Sequence, residues 1–210
     1  MDNKLVMALP TGRLGDSAIA RLHAIGLAKK ISPKSRKLVF DDDENIRYIL
    51  VKPVDVITYV ENGIADIGII GSDVILEQEA DVYEIMDLGF GLCKFSIAGL
   101  KDQTLYKPDE VIKVATKYPN VAKKYFQNKQ QKIDIIKING SVELAPLLGL
   151  SNVIVDIVET GNTLKANGLV VIEDMFEISA KTIVNRSSYR FKYQKITGLT
   201  KRLEASMEVK

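Results

Sequence analysis

Short runs of β-branched and aliphatic residues alternate with helical patterns along almost the whole chain, and this alternation limits the fold more than any other feature. "KLVMAL" (4–9) reads as a strand, and after "TGRLG" comes a helix with Ala18, Ile19, Leu22 and Ile25 at helical spacing. "RKLVF" (36–40) and "IRYILV" (46–51) read as a hairpin around Asp41-Asp42-Asp43-Glu44, an acidic run taken as a solvated turn in preference to a metal site. Pro53 suits the first turn of a helix that ends at Asn62-Gly63. "DIGII" (66–70), "VIKVAT" (111–116), "IDIIKI" (133–138) and "NVIVDI" (152–157) read as further strands, and "GSDVILEQ" opens another helix. Tyr189, Tyr193, Ile196, Leu199, Leu203 and Met207 fall on one face of a single long C-terminal helix. Strands alternating with helices predict an α/β protein. The most polar connection, "AGLKDQTLYKPDEV" (98–111), is the expected crossing between two lobes.

The totals narrow the function. With 210 residues and 46% apolar content the chain can build a substantial core. Its 29 basic and 27 acidic residues leave a net charge of +2, which gives no footprint for nucleic acid or an anionic membrane. A single cysteine, Cys93, excludes an internal disulfide and a cysteine-based metal cluster, and it fits a reducing compartment. "MDNKLVMALPTGRL" lacks the apolar stretch of a leader, and no run approaches 18 apolar residues, so the expected location is the cytosol.

One short stretch carries chemistry. In "DIVETGNTL" (156–164) a β-branched run, Val153-Ile154-Val155, leads into Asp156, Glu159 and then Thr160-Gly161-Asn162-Thr163. A strand–turn–helix with glycine at the turn can aim backbone N–H groups at a phosphate, and Thr160, Asn162 and Thr163 add further donors. Asp156 and Glu159 suit the other end of a sugar phosphate, where ribose hydroxyls donate. The residues alone leave a second reading open, an ordinary strand-to-helix connection with Thr or Asn as cap. No Walker loop and no three-glycine dinucleotide fingerprint is present. The lone histidine, His23, sits within the first helix as a surface or packed residue, and Cys93 has no histidine of its own to activate it. Chemistry by positioning and charge neutralisation fits this inventory better than covalent catalysis.

"DIVETGNTLKANGL" resembles the phosphoribosyl-diphosphate loop of the ATP phosphoribosyltransferase family. "ALPTGRL" (8–14) is similar to that family's N-terminal motif, and "VKPVDVITYVENGIADIGIIGSDVILE" (51–77), "ATKYPNVAKKYF" (115–126) and "NGSVELAPLLGLSNVIVDIVETG" (139–161) follow its blocks in order. Two positions depart from it. Thr11 stands where the family usually has lysine, and Lys52 where arginine is common, which keeps the charge without the planar fork.

The resemblance implies two α/β lobes like those of type II periplasmic binding proteins, with the active site in the interlobe cleft. Lobe I then takes residues 1–95 and 177–210, and lobe II residues 96–176. The implied reaction joins N1 of ATP to C1 of phosphoribosyl diphosphate and releases diphosphate, with Mg2+ arriving on the diphosphate and no metal site of the protein's own. Asp156, Glu159, Thr160, Gly161, Asn162 and Thr163 would bind phosphoribosyl diphosphate. Arg13 and, from the weaker local match "SRKLVF", Arg36 are the candidates for charge stabilisation; Arg13, Lys52 and Glu143 are candidates for ATP. The length resembles the short form of the family, expected as a homodimer that assembles with a regulatory subunit similar to histidyl-tRNA synthetase. Other classes stay open at this stage: a phosphoribosyltransferase acting on another base, a solute-binding protein, or a catalytically silent or partner-dependent subunit.

Overall fold

The computed structural model describes residues 4–32, 35–42, 44–101, 103, 105 and 110–208. Along the chain come β1 (Leu5–Pro10), α1 (Arg13–Ala24), β2 (Val39–Asp41), β3 (Ile46–Val51), α2 (Pro53–Glu61), β4 (Ile67–Gly71), α3 (Ser72–Gln78) and β5 (Val82–Asp87). Then follow β6 (Cys93–Leu100), β7 (Ile112–Thr116), α4 (Pro119–Asn128), β8 (Ile133–Lys137), α5 (Leu144–Leu147), β9 (Val153–Val158), α6 (Asn162–Ala166) and β10 (Leu169–Ile178). The chain ends with β11 (Ala180–Asn185), α7 (Arg186–Phe191) and α8 (Tyr193–Glu208). It divides into two compact units, Met1–Gly91 with Ser179–Lys210 and Leu92–Ile178. Boundaries at 95 and 176 would cut through β6 and β10, which pair from Leu169↔Leu100 to Ile178↔Cys93, so the division falls just outside that ladder. Residues 102, 104 and 106–109 of the polar connection 98–111 lie outside the described residues, as does Asp43 of the acidic run.

The first unit holds a six-stranded sheet in the order β2-β3-β1-β4-β11-β5, with β3, β1 and β4 parallel. These parallel strands are covered on both faces, which is why they read as unbroken apolar runs. Met7, Leu9, Ile67 and Ile69 face one core with Ala18, Ile19 and Leu22 of α1 and Ile196, Leu199 and Leu203 of α8. Ala8 and Ile70 face the other with Val56, Ile57 and Val60 of α2. Helix α1 approaches β1 so closely that a Cβ on Gly15 would lie 1.7 Å from the Pro10 carbonyl oxygen.

The acidic turn is stapled to its neighbours. Asp42 accepts from the N–H groups of Glu44 and Ile46, both at 3.0 Å, and from the Tyr48 hydroxyl at 2.7 Å. Glu44 pairs with Arg202. Arg47 clamps Asp41 through Nε at 2.8 Å and a second nitrogen at 3.1 Å, and with Lys4 it holds that carboxyl down to about 2. Among the described residues no three His, Cys, Asp or Glu side chains form a metal-holding group.

Three expectations need correction. Of "RKLVF" only Val39 and Phe40 join the hairpin ladder, with Asp41, because Phe40 alone turns into the core while Leu38 and Val39 stay exposed. The C-terminal helix is two helices broken at Lys192 (φ −119°, ψ 25°). There Lys192 Nζ reaches the buried Asp66 carboxylate at 2.7 Å and the Lys4 carbonyl at 2.8 Å. Tyr193 accordingly leaves the buried stripe and is exposed, while Tyr189 still packs against the core that holds Ile196 and Leu199; the two rings meet edge to face, their centres 5.3 Å apart.

The second unit holds a five-stranded sheet, β10-β6-β9-β7-β8, in which β7, β8 and β9 are parallel. Helix α4 packs Val121, Ala122 and Phe126 on one face with Phe95, Val114 and Val155. Ala145 of α5 and Leu164 of α6 pack on the other with Ala98, Ala115 and Ile154. Among the described residues no helix is long and apolar enough to cross a membrane.

Two glycines should respond oppositely to alanine. Gly15→Ala meets backbone that cannot yield and should destabilise by about 1–3 kcal/mol. Gly198, in α8 with open space around it, should gain about 0.5–1 kcal/mol as alanine. Urea denaturation of the two variants checks both signs.

Candidate functional site

In each sheet the strands that follow one another in sequence fan out to both sides of a first strand. Chain order β7, β8, β9 becomes spatial order β8-β7-β9, and β1, β3, β4 becomes β3-β1-β4. Such a reversal leaves a crevice at the carboxyl ends of the two inner strands, the usual ligand position in open α/β sheets. In the second unit those ends are Thr116 of β7 and Val158 of β9, and the loop Glu159–Gly161 emerges there.

Gly161 caps α6 in the left-handed region at φ 71°, ψ 6°. A Cβ there would meet only a Val158 methyl at 3.9 Å, so it is the backbone angle and not lack of space that calls for glycine. The first helical bond runs from Lys165 N–H to the Gly161 carbonyl at 3.0 Å, so the N–H groups of Asn162, Thr163 and Leu164 precede it. Asn162 N–H lies 3.4 Å from the Thr160 hydroxyl, a long contact. Leu164, 5% exposed, anchors this short helix in the core. Glu159, Thr160, Asn162 and Thr163 are exposed, and Asp156 is half-buried on the strand.

The loop forms one end of a 520 Å³ depression within the second unit, which Leu164, Lys165, Leu169 and Val171 continue as a partly apolar wall. Its floor is polar. Ser96 pairs in register with Asp156 on one side and Asp174 on the other, which puts the three in a row on one sheet face. The Ser96 hydroxyl donates to Asp174 at 2.8 Å, and Lys94 Nζ donates to the other oxygen at 2.9 Å. The Lys94 ammonium first, and then the Ser96 hydroxyl, hold the Asp174 carboxyl below its ordinary value.

The structure brings the remaining candidates together by unit. Glu143 is half-buried at the cap of α5, on the loop after β8, and so shares the edge of the second sheet from which Glu159–Thr163 emerge. In the first unit Arg13 opens α1 behind Gly12 (φ 87°), and Lys52 caps α2. Thr11 N–H donates to the Val51 carbonyl at 2.8 Å, tying the two turns together. Arg36 is exposed and lies just ahead of Leu38, whose carbonyl accepts from Leu50 N–H at 2.8 Å, so it leaves the hairpin at the end of β3 that runs into Lys52. His23 stays on the surface of α1, where Nε2 meets the Ala28 carbonyl at 2.9 Å.

Sequence reasoning missed Lys94, Ser96, Lys165 and Asp174. Two bulges in β10, between Val171 and Glu173 and between Asp174 and Phe176, break the alternation that would have marked Asp174 as facing the loop.

Residues 52–205 match the family described as HisG: ATP phosphoribosyltransferase. The chain belongs to that family. An ATP phosphoribosyltransferase of Clostridioides difficile (strain 630) is 61% identical over 201 residues, 95% of this chain and 97% of that protein. One from Thermoanaerobacter sp. (strain X514) is 51% identical over 99% of this chain and 98% of its own length. Among solved structures, the ATP phosphoribosyl transferase (HisG:HisZ) complex from Thermotoga maritima matches with a TM-score of 0.85 at 36% identity, covering 98% of this chain and 100% of that one. The periplasmic aliphatic sulphonate binding protein SsuA from Escherichia coli matches with a TM-score of 0.61 at 12% identity, covering 97% of this chain and 72% of that one. That likeness is one of fold alone, and it places the two α/β units in the class of type II periplasmic binding proteins. The ATP phosphoribosyltransferase match contains Lys52, Glu143 and the whole Asp156–Thr163 loop; Arg13 and Arg36 precede it.

Because its folded value is depressed, the Asp174 pair stabilises the fold above the unfolded carboxylate's pKa, and this contribution is lost as pH falls through the folded value. Lys94→Met should raise the Asp174 midpoint towards 3.8, and Ser96→Ala should raise it less. Carboxyl carbon NMR titration reads both.

Proposed function

We propose that the chain transfers the 5-phosphoribosyl group of phosphoribosyl diphosphate to N1 of ATP and releases diphosphate, the first step of L-histidine biosynthesis. One observation carries this reading: an ATP phosphoribosyltransferase is 61% identical to this chain over 201 residues, 95% of this chain. The N1 lone pair forms the new bond to C1 as the bond from C1 to the diphosphate oxygen breaks, inverting that carbon. The broken bond's electrons leave on the diphosphate, while positive charge builds on the ribose ring and then on the alkylated base. No protein nucleophile is required, and the site's work is positioning and charge stabilisation.

The N–H groups at Gly161, Asn162 and Thr163 hold the 5-phosphate, with the Thr160 and Thr163 hydroxyls beside them. Asp156 and Glu159 accept from the ribose hydroxyls. Arg13 and Arg36 neutralise diphosphate or ATP phosphate, and Lys52 and Glu143 contact ATP. The loop's side-chain donors are carboxylate, hydroxyl and amide oxygens, the hard ligands that suit magnesium, and among the described residues there is no cluster to cage it unaided. Asp156 and Glu159 carry the hard oxygens that would hold a magnesium ion arriving with the diphosphate, and the ion would supply charge neutralisation of the leaving group. The Thermotoga maritima relative was solved as a HisG:HisZ complex. A HisZ-type regulatory subunit is accordingly the partner proposed for a dimer of this chain.

Diphosphate release from ATP and phosphoribosyl diphosphate, measured with and without a HisZ-type partner, tests the reading, and no release in either case refutes it. Gly161→Val should strain the loop and weaken phosphoribosyl-diphosphate binding by about 1–3 kcal/mol in calorimetry while ATP binding changes much less. Arg13→Ala and Arg36→Ala should each lower turnover by about 10²–10³-fold, with lysine restoring part of it. Wild-type turnover in Arg36→Ala would leave that arginine an ordinary surface residue. Histidine should inhibit the assembled complex and leave the chain alone unaffected. Saturable inhibition of the chain by itself would contradict the proposed division of labour.

A further inference from the structure

Strands β7 and β9 are joined through Thr116↔Val155, the last pair of their ladder. Beyond it the two chains separate: β7 enters the turn Lys117–Tyr118 ahead of α4, and β9 continues through Asp156 to the loop at Glu159. No crossover links these two carboxyl ends, because α4 leads to β8 and α6 to β10. The width of the crevice therefore depends on bonds made across its mouth.

Thr116 makes such bonds. Its side chain is 0% exposed, and its hydroxyl donates to the Val155 carbonyl at 2.7 Å while accepting from Tyr118 N–H at 2.9 Å. A single oxygen thus holds the β7 turn, the adjacent strand and the spacing between them. Valine would fill the same volume and make neither bond, so packing alone does not call for threonine here. Tyr118 is itself buried against Phe95, ring centres 4.9 Å apart, so the turn is fixed from below as well as from the side. Lys117, between the two anchored residues, is exposed, its ammonium 5.7 Å from the centre of the Tyr118 ring.

We propose that Thr116 is a positioning residue for the sugar-phosphate site. Its hydroxyl sets the β7 turn, with Lys117 on it, at the distance from the Asp156–Thr163 loop that phosphoribosyl diphosphate requires. This rests on the reading of that loop given above. Loss of the hydroxyl frees the β7 turn from β9, the strand that carries the loop, so it acts first on phosphoribosyl diphosphate and less on ATP.

The test compares wild type, Thr116→Val and Thr116→Ser by calorimetric titration with phosphoribosyl diphosphate and magnesium, and by the KM of each substrate in the enzyme assembled with its partner. Thr116→Val should weaken phosphoribosyl-diphosphate affinity about 5–20-fold, the worth of one or two net hydrogen bonds, with the ATP KM within about twofold of wild type. Thr116→Ser, which keeps the hydroxyl, should stay within about twofold for both substrates. Wild-type affinity in Thr116→Val overturns the proposal. So does an equal rise of both KM values in the valine and serine variants, which marks a merely structural role. If Thr116→Val does not fold, Thr116→Cys takes its place: a partial loss confined to phosphoribosyl diphosphate supports the proposal, and unchanged affinity overturns it. A wild-type chain that binds no phosphoribosyl diphosphate refutes the reading of the loop, and the role of Thr116 falls with it.

Discussion

The buried carboxylate of Asp66 organises the first unit. It is 4% exposed, and its two oxygens accept from Val6 N–H at 2.8 Å, the Ser188 hydroxyl at 2.6 Å and Lys192 Nζ at 2.7 Å. Its backbone takes part as well, donating to the Val6 carbonyl and accepting from Asn185 N–H. One residue therefore joins β1, the entry to β4, the end of β11 and both C-terminal helices. An ion pair this enclosed gains little net energy over a well-packed apolar substitute. Breaking it is costly, however, because one charge is then left buried without a partner. What it supplies is a fixed geometry: α8 can lie on β1 only where Lys192 reaches that carboxylate.

On that frame the same solution appears in each unit. A parallel trio with its first strand in the middle leaves a crevice at the carboxyl edge, and the turns entering it carry the residues of interest. Sidedness follows from connectivity, since α1 and α2 must cover opposite faces when their strands fan to opposite sides of β1. Glycine enters where helix and strand come closest. A Cβ on Gly68 would lie 2.8 Å from a Val56 methyl and 2.9 Å from one of Val60, so α2 lies directly on the backbone of β4.

What could be read from the chain depended on how local its cause was. β1, β3 and β9 were legible because strands buried on both faces must be apolar throughout, and the turn at Gly161 because its left-handed backbone is a demand on one residue. The fold of two lobes followed from family resemblance, since alternation of strands and helices selects a class and not a topology. The break at Lys192 was hidden because its cause, Asp66, is 126 residues away. Thr116 was missed for the same reason, its acceptor being 39 residues distant. β5 escaped notice as a half-exposed edge strand, and β10 because its bulges destroy the period of two. Arg36 lies in an irregular segment where no local pattern constrains it.

The chain leaves the first unit after Gly91 and returns at Ser179, and this routing has a consequence for how the protein is made. β11 lies between β4 and β5, so the larger sheet has a missing strand until the whole intervening segment has been synthesised. The second unit is one continuous stretch and can close by itself while the first still waits for its last strand. During that interval the edges of β4 and β5 that will flank β11 lack their neighbour, and the Asp66 carboxylate lacks Ser188 and Lys192. Completion of the first unit is therefore a late, long-range event, tied to the arrival of the final helices. A nascent chain halted before Ser179 would carry a finished second unit beside a first one with an open sheet, the kind of exposed edge that chaperones and neighbouring chains find first.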